Sequence, residues 1–421
     1  MTSHETALAE FETDFGGLHR STPAAVHRMP AAFPAALLGS GRHLTLRGSG
    51  HSCAGQTVTD GELLVTYSPD TAVREIRDLG EGLFEVPAGA SWYGVERFLN
   101  RRGRAFPVLP DHLHMSVGGT LSVGGAGVGS VRFGWQVDQV ERIQLIDGNG
   151  TSRWCSRTDH AELFRFALGG LGMVGLIERV VLRTVAYEPR IHLHRTEHST
   201  LAALANDIEQ IARGDDADYY WALADSAGIR SVTGWRGVAA SQRCDGADCA
   251  VVTDLAERGN YPHDTETRRP GDPVNLWADY VVPVEHCAAM FAAVAALRKR
   301  APMSDSGSAL YALIIRRNPN PVRFAFAPVG PAPISVGVGV YVTVDADPDT
   351  VSRIGAEFAA LLRRCVALRG RPYLYGVNDF DRADALRLYG SDLERLGELR
   401  TSLRLEHVNA HLLLARLAGR I

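Results

Sequence analysis

The residues best suited to chemistry stand in two glycine-rich stretches. The first is Arg47-Gly48-Ser49-Gly50-His51-Ser52-Cys53-Ala54-Gly55-Gln56. Gly48, Gly50 and Gly55 let the backbone take positive φ and approach a ligand closely. Successive N–H groups in such a turn make a nest for an anion, typically a phosphate. His51 adds bulk where glycine would give access, but its ring nitrogen is a good nucleophile or ligand. The combination predicts a group that touches a cofactor; the plain alternative is a hairpin turn with a surface histidine. The second stretch runs from Pro110 to Ser130, through Asp111, His114, Ser116-Val117-Gly118-Gly119-Thr120-Leu121-Ser122 and Gly124 to Gly129. It has no helical period and cannot be stabilised by its own side chains. Val117, Leu121 and Val123 at regular intervals favour a loop packed on a ligand over a flexible linker. Asp111 after Pro110 also fits an ordinary turn.

These loops need elements to hold them. His43–Leu46, Leu63–Tyr67 and Leu83–Pro87 read as strands. Ser91 is an N-cap for a helix with Trp92, Val95, Phe98 and Leu99 on one face, ending at Arg101-Arg102-Gly103. Val140–Ile146 is a strand and Asp147-Gly148-Asn149-Gly150 a positive-φ hairpin turn. Asp159 is expected to cap a helix through Phe166. Leu168-Gly169-Gly170-Leu171-Gly172-Met173-Val174-Gly175-Leu176-Ile177 repeats the glycine-plus-aliphatic texture before the strand Glu178–Leu182.

Together the loops resemble those of the vanillyl-alcohol-oxidase, or PCMH-type, FAD-linked oxidoreductases, and of cytokinin dehydrogenases in particular. In that family a Gly-His-Ser histidine is joined covalently to the 8α-methyl of FAD, and His51 matches it. The resemblance implies FAD held covalently through His51, with Gly48, Ser49, Gly50, Ser52 and Gln56 in the first loop. It implies Ser116, Gly118, Gly119, Thr120 and Ser122 in the second loop, and Gly172, Gly175 and Ile177 in a segment closing over the ribityl and adenine end. The second loop carries no cysteine for a further link, so a single histidyl bond is expected. An aspartate upstream of the paired glycines accepts a proton from the substrate amine in the family, and Asp111 stands there. A carboxylate does this best if burial raises its pKa toward neutrality.

The resemblance implies an α+β fold: a two-subdomain FAD-binding domain of PCMH type over residues 1–190, a substrate-binding domain over 191–370, and a C-terminal return to the FAD domain over 371–421. The substrate domain should hold an antiparallel sheet flanked by helices. Leu201–Ile211, Val284–Leu297 and Asp347–Leu368 read as helices; Tyr219–Leu223, Leu310–Ile315 and Ser335–Thr343 read as strands. Trp277–Pro283 resembles the family's Trp-x-x-x-Phe/Val-Val-Pro strand, and Asp381–Gly390 its C-terminal return. Gln242–Pro273, polar and rich in Gly, Pro and Asp, reads as a long loop. Tyr373, Tyr375 and Asn378 are candidate pocket residues by position. Two departures touch the substrate: Ile229–Trp235 contains no glutamate where plant-type enzymes have one, and Val408–Leu413 replaces the family's terminal Asp-Pro…Ser-Pro-Gly segment.

Composition narrows the partners. The chain has 421 residues, 44 basic and 48 acidic, for a net charge of −4, which points to neither nucleic acid nor an anionic membrane. Lys299 is the single lysine. The six cysteines show no zinc spacing; Cys244 and Cys249 flank a polar turn that would suit a small disulfide loop, though free thiols are expected in a cytoplasmic protein. The N-terminus has no secretory pattern and no apolar run reaches membrane length, so a cytoplasmic location is expected. The reading is an enzyme with a small-molecule substrate: an FAD-linked oxidase or dehydrogenase that oxidises an amine by hydride transfer to the flavin, the imine then being hydrolysed. The electron acceptor is oxygen or quinone-like. The alternative is the same machinery on another amine or an alcohol of a natural-product pathway; a flavin-binding protein without turnover is the third reading.

Overall fold

The computed structural model describes residues 8–29, 35–67, 73–237, 249–253 and 271–419. It is an α+β protein built on three main sheets. Leu63–Tyr67 runs at the centre of a parallel three-stranded sheet, between Ala25–Met29 and Leu44–Leu46. Its first four residues are buried, as a central strand with elements on both faces requires. A second sheet is antiparallel and five-stranded, in the order Arg77–Gly80, Leu83–Pro87, Leu176–Arg183, Val140–Ile146, Ser152–Ser156. The expected hairpin turn joins the last two: Gly150 has φ +75°, and Asp147 Oδ1 accepts from the N–H of Asn149 and of Thr151.

Ser91 caps the helix Trp92–Asn100 as its sequence predicts, its hydroxyl accepting from Gly94 N–H at 3.2 Å. Three local readings change. The helix that Asp159 is expected to cap spans Ala161–Ala167, with His160 at its N-cap. Asp159 is already committed, its N–H to Ser156 Oγ and its carbonyl to Ser156 N–H, so it closes a turn instead of capping. The glycine-rich second loop contains helical turns at Val117–Leu121 and Ser130–Phe133. Tertiary bonds override the poor helix propensity of Gly118 and Gly119: Val117 and Gly118 N–H donate to the carbonyls of Ala90 and Ala88. Finally, Gln242–Pro273 is not all loop, because Cys249–Thr253 pairs antiparallel with Arg190–His194. Residues 242–248, with Cys244, and 254–270 lie outside the described residues, as does the side chain of Cys249. Cys53, Cys155, Cys287 and Cys365 are buried thiols.

The third sheet is antiparallel and eight-stranded, in the order Cys249–Thr253, Arg190–His198, Gly228–Arg236, Tyr219–Asp225, Gly307–Arg316, Ile334–Val344, Val274–Pro283, Arg371–Tyr373. Side chains alternate across it with the period of two that strands impose. Tyr220, Ala222, Leu276, Ala278, Tyr280 and Val336–Val342 at alternate positions are buried. They face the helices Leu201–Arg213, Cys287–Arg298 and Pro348–Ala367; Tyr220 donates to Asp207 at 3.0 Å and Tyr280 to the Phe358 carbonyl at 2.9 Å. The opposite face, with Tyr219, Trp221, Trp277, Asp279 and Tyr311, is left for the site.

The C-terminal helices Arg382–Tyr389, Ser391–Ser402 and Leu413–Ala418 return to the glycine segments. Buried Arg400 donates to the carbonyls of Met173 (2.9 Å), Val408 (2.8 Å) and Glu406 (3.3 Å). Burial pushes its guanidinium down to about 10, so it stays charged at neutral pH. Asn409, with φ +50°, accepts from Leu46 N–H and donates to Leu171 O. Thus Val408–Leu413 ties the first and third glycine segments together. Arg400→Ala leaves these carbonyls without their donor, and a loss of about 3 kcal/mol is expected in urea unfolding. Among the described residues no helix is long and apolar enough to cross a membrane.

Candidate functional site

A cavity of about 810 Å³ lies between the glycine segments and the open face of the eight-stranded sheet. That is in the upper range for a small-molecule or cofactor site. The residues singled out in the sequence converge on it: His51 with Gly48, Ser49, Gly50, Ser52 and Gln56, then Asp111, Ser116, Gly118, Gly119, Thr120 and Ser122, then Gly172, Gly175 and Ile177.

The first loop is held from beneath by Arg47. Its guanidinium donates to the carbonyls of Thr13, Thr57 and Glu10, and burial lowers its pKa to about 10. Gly50 sits at φ +78°, where a Cβ would stand 2.4 Å from that guanidinium. Glycine is therefore required at this position on two grounds. The Gln56 amide does not reach into the cavity. Its oxygen takes Ala54 N–H and its nitrogen donates to the carbonyls of Leu374, Tyr375 and Gly376, bracing the loop against the C-terminal tyrosines. Cys53 N–H also donates to Tyr375 O at 3.0 Å. The His51 ring is stacked on Phe15 (centroids 4.6 Å, 24° between planes) and meets His112 at 4.8 Å. Ser49 Oγ donates to the His114 carbonyl at 2.9 Å and locks the first loop to the second.

In the second loop several side chains serve the fold. Thr120 Oγ1 accepts from the Trp92 indole at 2.8 Å and donates to Val117 O; Ser122 donates to Gly118 O. Gly118 packs on Ala88, where a Cβ would come to 2.8 Å of the Ala88 Cβ. Gly172 and Gly175 have φ of +69° and +134°, and a Cβ would press on Asn409 Nδ2 and Ile146 O respectively. Ser116 is different. Its hydroxyl is buried and has no hydrogen-bond partner among the described residues, and it sits in a cradle made by the missing side chains of Gly48 and Gly119. Tyr67, another lining residue, has a buried Oη with no partner among the described residues, and burial keeps that phenol protonated. Two orphaned polar groups beside a backbone stripped of side chains fit a ligand that brings its own acceptors.

Asp111 lines the cavity but is exposed, so the burial that its proposed role calls for is absent in the protein by itself. Burial raises three other carboxylates among the described residues, of which Asp14 accepts from the N–H of Leu18, His19 and Gly55 and belongs to the fold. Asp138 is raised to about 6 by burial, but it accepts from Trp135 N–H at 3.0 Å and belongs to the fold. Asp279 is raised to about 6 by burial, lines the cavity, and accepts from the hydroxyls of Tyr375 (2.6 Å) and Tyr341 (3.2 Å). Sequence reasoning passed over it inside Trp277–Pro283. The available signal was a lone carboxylate on an otherwise aromatic and aliphatic strand. Tyr373 and Tyr375 do line the cavity. Asn378 does not; its amide donates back to Tyr373 O and Gly376 O.

Residues 35–156 match the protein family described as an FAD binding domain. Over this stretch the chain is similar to the FAD-binding domain of FAD-linked oxidoreductases. Among its relatives, an uncharacterized oxidoreductase of the fasciation locus of Rhodococcoides fascians is 36% identical over 39% of this chain and 37% of its own. Cytokinin dehydrogenase 1 of Oryza sativa is 32% identical over 62% of this chain and 52% of its own, and cytokinin dehydrogenase 1 of Arabidopsis thaliana 29% over 47% and 36%. The aligned region thus spans about half or less of each of these relatives. FAD is the ligand that the orphaned Ser116 and Tyr67 hydroxyls and the glycine cradle fit. In Gly48→Ala, a Cβ 2.4 Å from Ser116 Oγ closes that cradle. Overpacking of this kind costs about 1–3 kcal/mol, and a clear drop in the flavin-to-protein ratio after gel filtration is expected.

Proposed function

We propose that this flavoprotein oxidises a small amine, with FAD joined covalently to His51 and Asp111 as the proton acceptor. When bound, FAD supplies the two-electron acceptor that the side chains lack. The observation that carries the reading is the convergence of His51, Asp111 and the aromatic sheet face on one cavity. The ring of His51 stacks on Phe15 and meets His112, which fix its place on the cavity wall. Ser116 and Tyr67 hold polar atoms of the cofactor, while Trp277 and Tyr311 form an apolar wall for the substrate. Asp111 takes the nitrogen-bound proton as the neighbouring carbon is oxidised; the resulting imine is hydrolysed by water. The relatives named cytokinin dehydrogenases support an amine as substrate.

A second reading keeps the cofactor and changes the substrate to another amine or an alcohol. Its support is the strand Gly228–Arg236, which carries no glutamate and presents Val232 and Arg236 to the cavity. A substrate panel with oxygen or a quinone dye as acceptor separates the two. Turnover of isopentenyladenine to adenine and an aldehyde supports the first; silence there with turnover of other amines or alcohols supports the second.

A further inference from the structure

Asp279 is a cavity carboxylate that the steps above do not use. It lies mid-strand on the same face as Trp277 and Val281 and is accessible from the cavity. Its cross-strand neighbour is Gly339. A Cβ there would stand 2.6 Å from Asp279 Oδ1 and 2.7 Å from Tyr341 Oη, so glycine is what permits the bond between them. An ionised carboxylate offers about four acceptor directions, and the two phenols fill two. No arginine or lysine is bonded to it among the described residues; the groups that favour its charged form are Tyr375 and Tyr341. A buried charge left half satisfied is costly, and a donor arriving with a ligand would relieve that cost.

We propose that Asp279 is the amine-recognition subsite of the cavity, its carboxylate taking the N–H or ammonium group of a ligand whose apolar body lies on Trp277, Tyr311 and Tyr341. The proposal rests on the cavity being an amine site and adds a second carboxylate to Asp111. Asp279 binds and orients; it forms and breaks no covalent bond. An ammonium gains a charge-assisted bond there, whereas a hydroxyl of the same shape gains a weaker one. The aromatic wall attracts cations too, so the carboxylate's share has to be isolated by substitution. The titratable groups around it are Tyr341 from Ile334–Val344, and Tyr373 and Tyr375 from the last strand and the turn after it, all kept protonated by burial. Tyr311 lies beyond Tyr341, Cys53 beyond Tyr375, and His51 across Phe15 and Trp277.

The probes are benzylamine and its neutral analogue benzyl alcohol, titrated into the purified flavoprotein and followed by calorimetry and by the flavin spectrum. At pH 8 the protein is expected to bind benzylamine at least about tenfold more tightly. Burial holds Asp279 near 6, so it is ionised above that pH and neutral below; the preference fades as pH falls through that value. Asp279→Asn lowers the ratio severalfold, to the share that the aromatic wall supplies. Tyr375→Phe removes a bond to the charged form and moves the midpoint upward. Equal binding of the two probes to the unaltered protein overturns the proposal. So does a preference undiminished in Asp279→Asn or, if that variant does not fold, an unmoved midpoint in Tyr375→Phe. A colourless preparation would instead refute the flavin reading, while calorimetry still reads the amine preference.

Discussion

His51→Ala is expected to release its flavin completely on acid precipitation, with the yellow colour moving from the pellet to the supernatant. The unaltered protein should keep its colour in the pellet. The expectation rests on how the ring is held. Phe15 stacks on one face of it, and Phe15 itself meets the Trp277 ring at 5.0 Å. Ser49 ties the loop to the His114 carbonyl, and the bonds of Cys53 and Gln56 to the Leu374–Gly376 backbone fix the other end. A nucleophile fixed in this way meets its target without the entropy cost of being found there. Flavin retained non-covalently by His51→Ala would leave the fold of the site intact and isolate the bond as the only loss. Colour that stays with the pellet in the variant would remove His51 from the linkage.

Asp111→Asn is expected to slow anaerobic flavin reduction by an amine substrate by about 10²–10⁴, the range for loss of a general base. Its flavin content should not change, because Asp111 braces neither loop among the bonds described. The residue is exposed at the cavity wall, so substrate and cofactor must cover it before the reaction. Burial of that kind raises a carboxylate toward the working pH. Asp279→Asn makes the contrasting case: its effect should fall on substrate affinity more than on the reduction rate at saturation. Unchanged reduction in Asp111→Asn would pass the proton to another group, and Asp279, already near 6, is the first to examine.

Much of this was legible in the chain because it is local. Leu63–Tyr67, Leu83–Pro87 and Val140–Ile146 match their patterns to the residue, and Ser91 caps its helix through a bond three positions away. The glycine loops could be found because each glycine either takes a positive φ or leaves a cradle, as at Gly50 and Gly48. Local reading failed where a distant partner decided. Val117–Leu121 became helical through carbonyls of another segment, and Cys249–Thr253 became a strand by pairing with Arg190–His194.

By itself, then, the sequence determined the α+β pattern of strands and helices, the three glycine segments and the histidine among them. Those depend on backbone conformation and on side chains spaced two to four residues apart. Only the tertiary structure decided which carboxylate the phenols of the cavity hold. Asp279 meets Tyr375 across 96 residues and Tyr341 across 62, and the Tyr375 carbonyl closes on Cys53 from the far end of the chain. A carboxylate's pKa and its role follow from the solvent it loses and the donors it gains. Both were set here by Tyr341 on the neighbouring strand and Tyr375 in the turn after the edge strand.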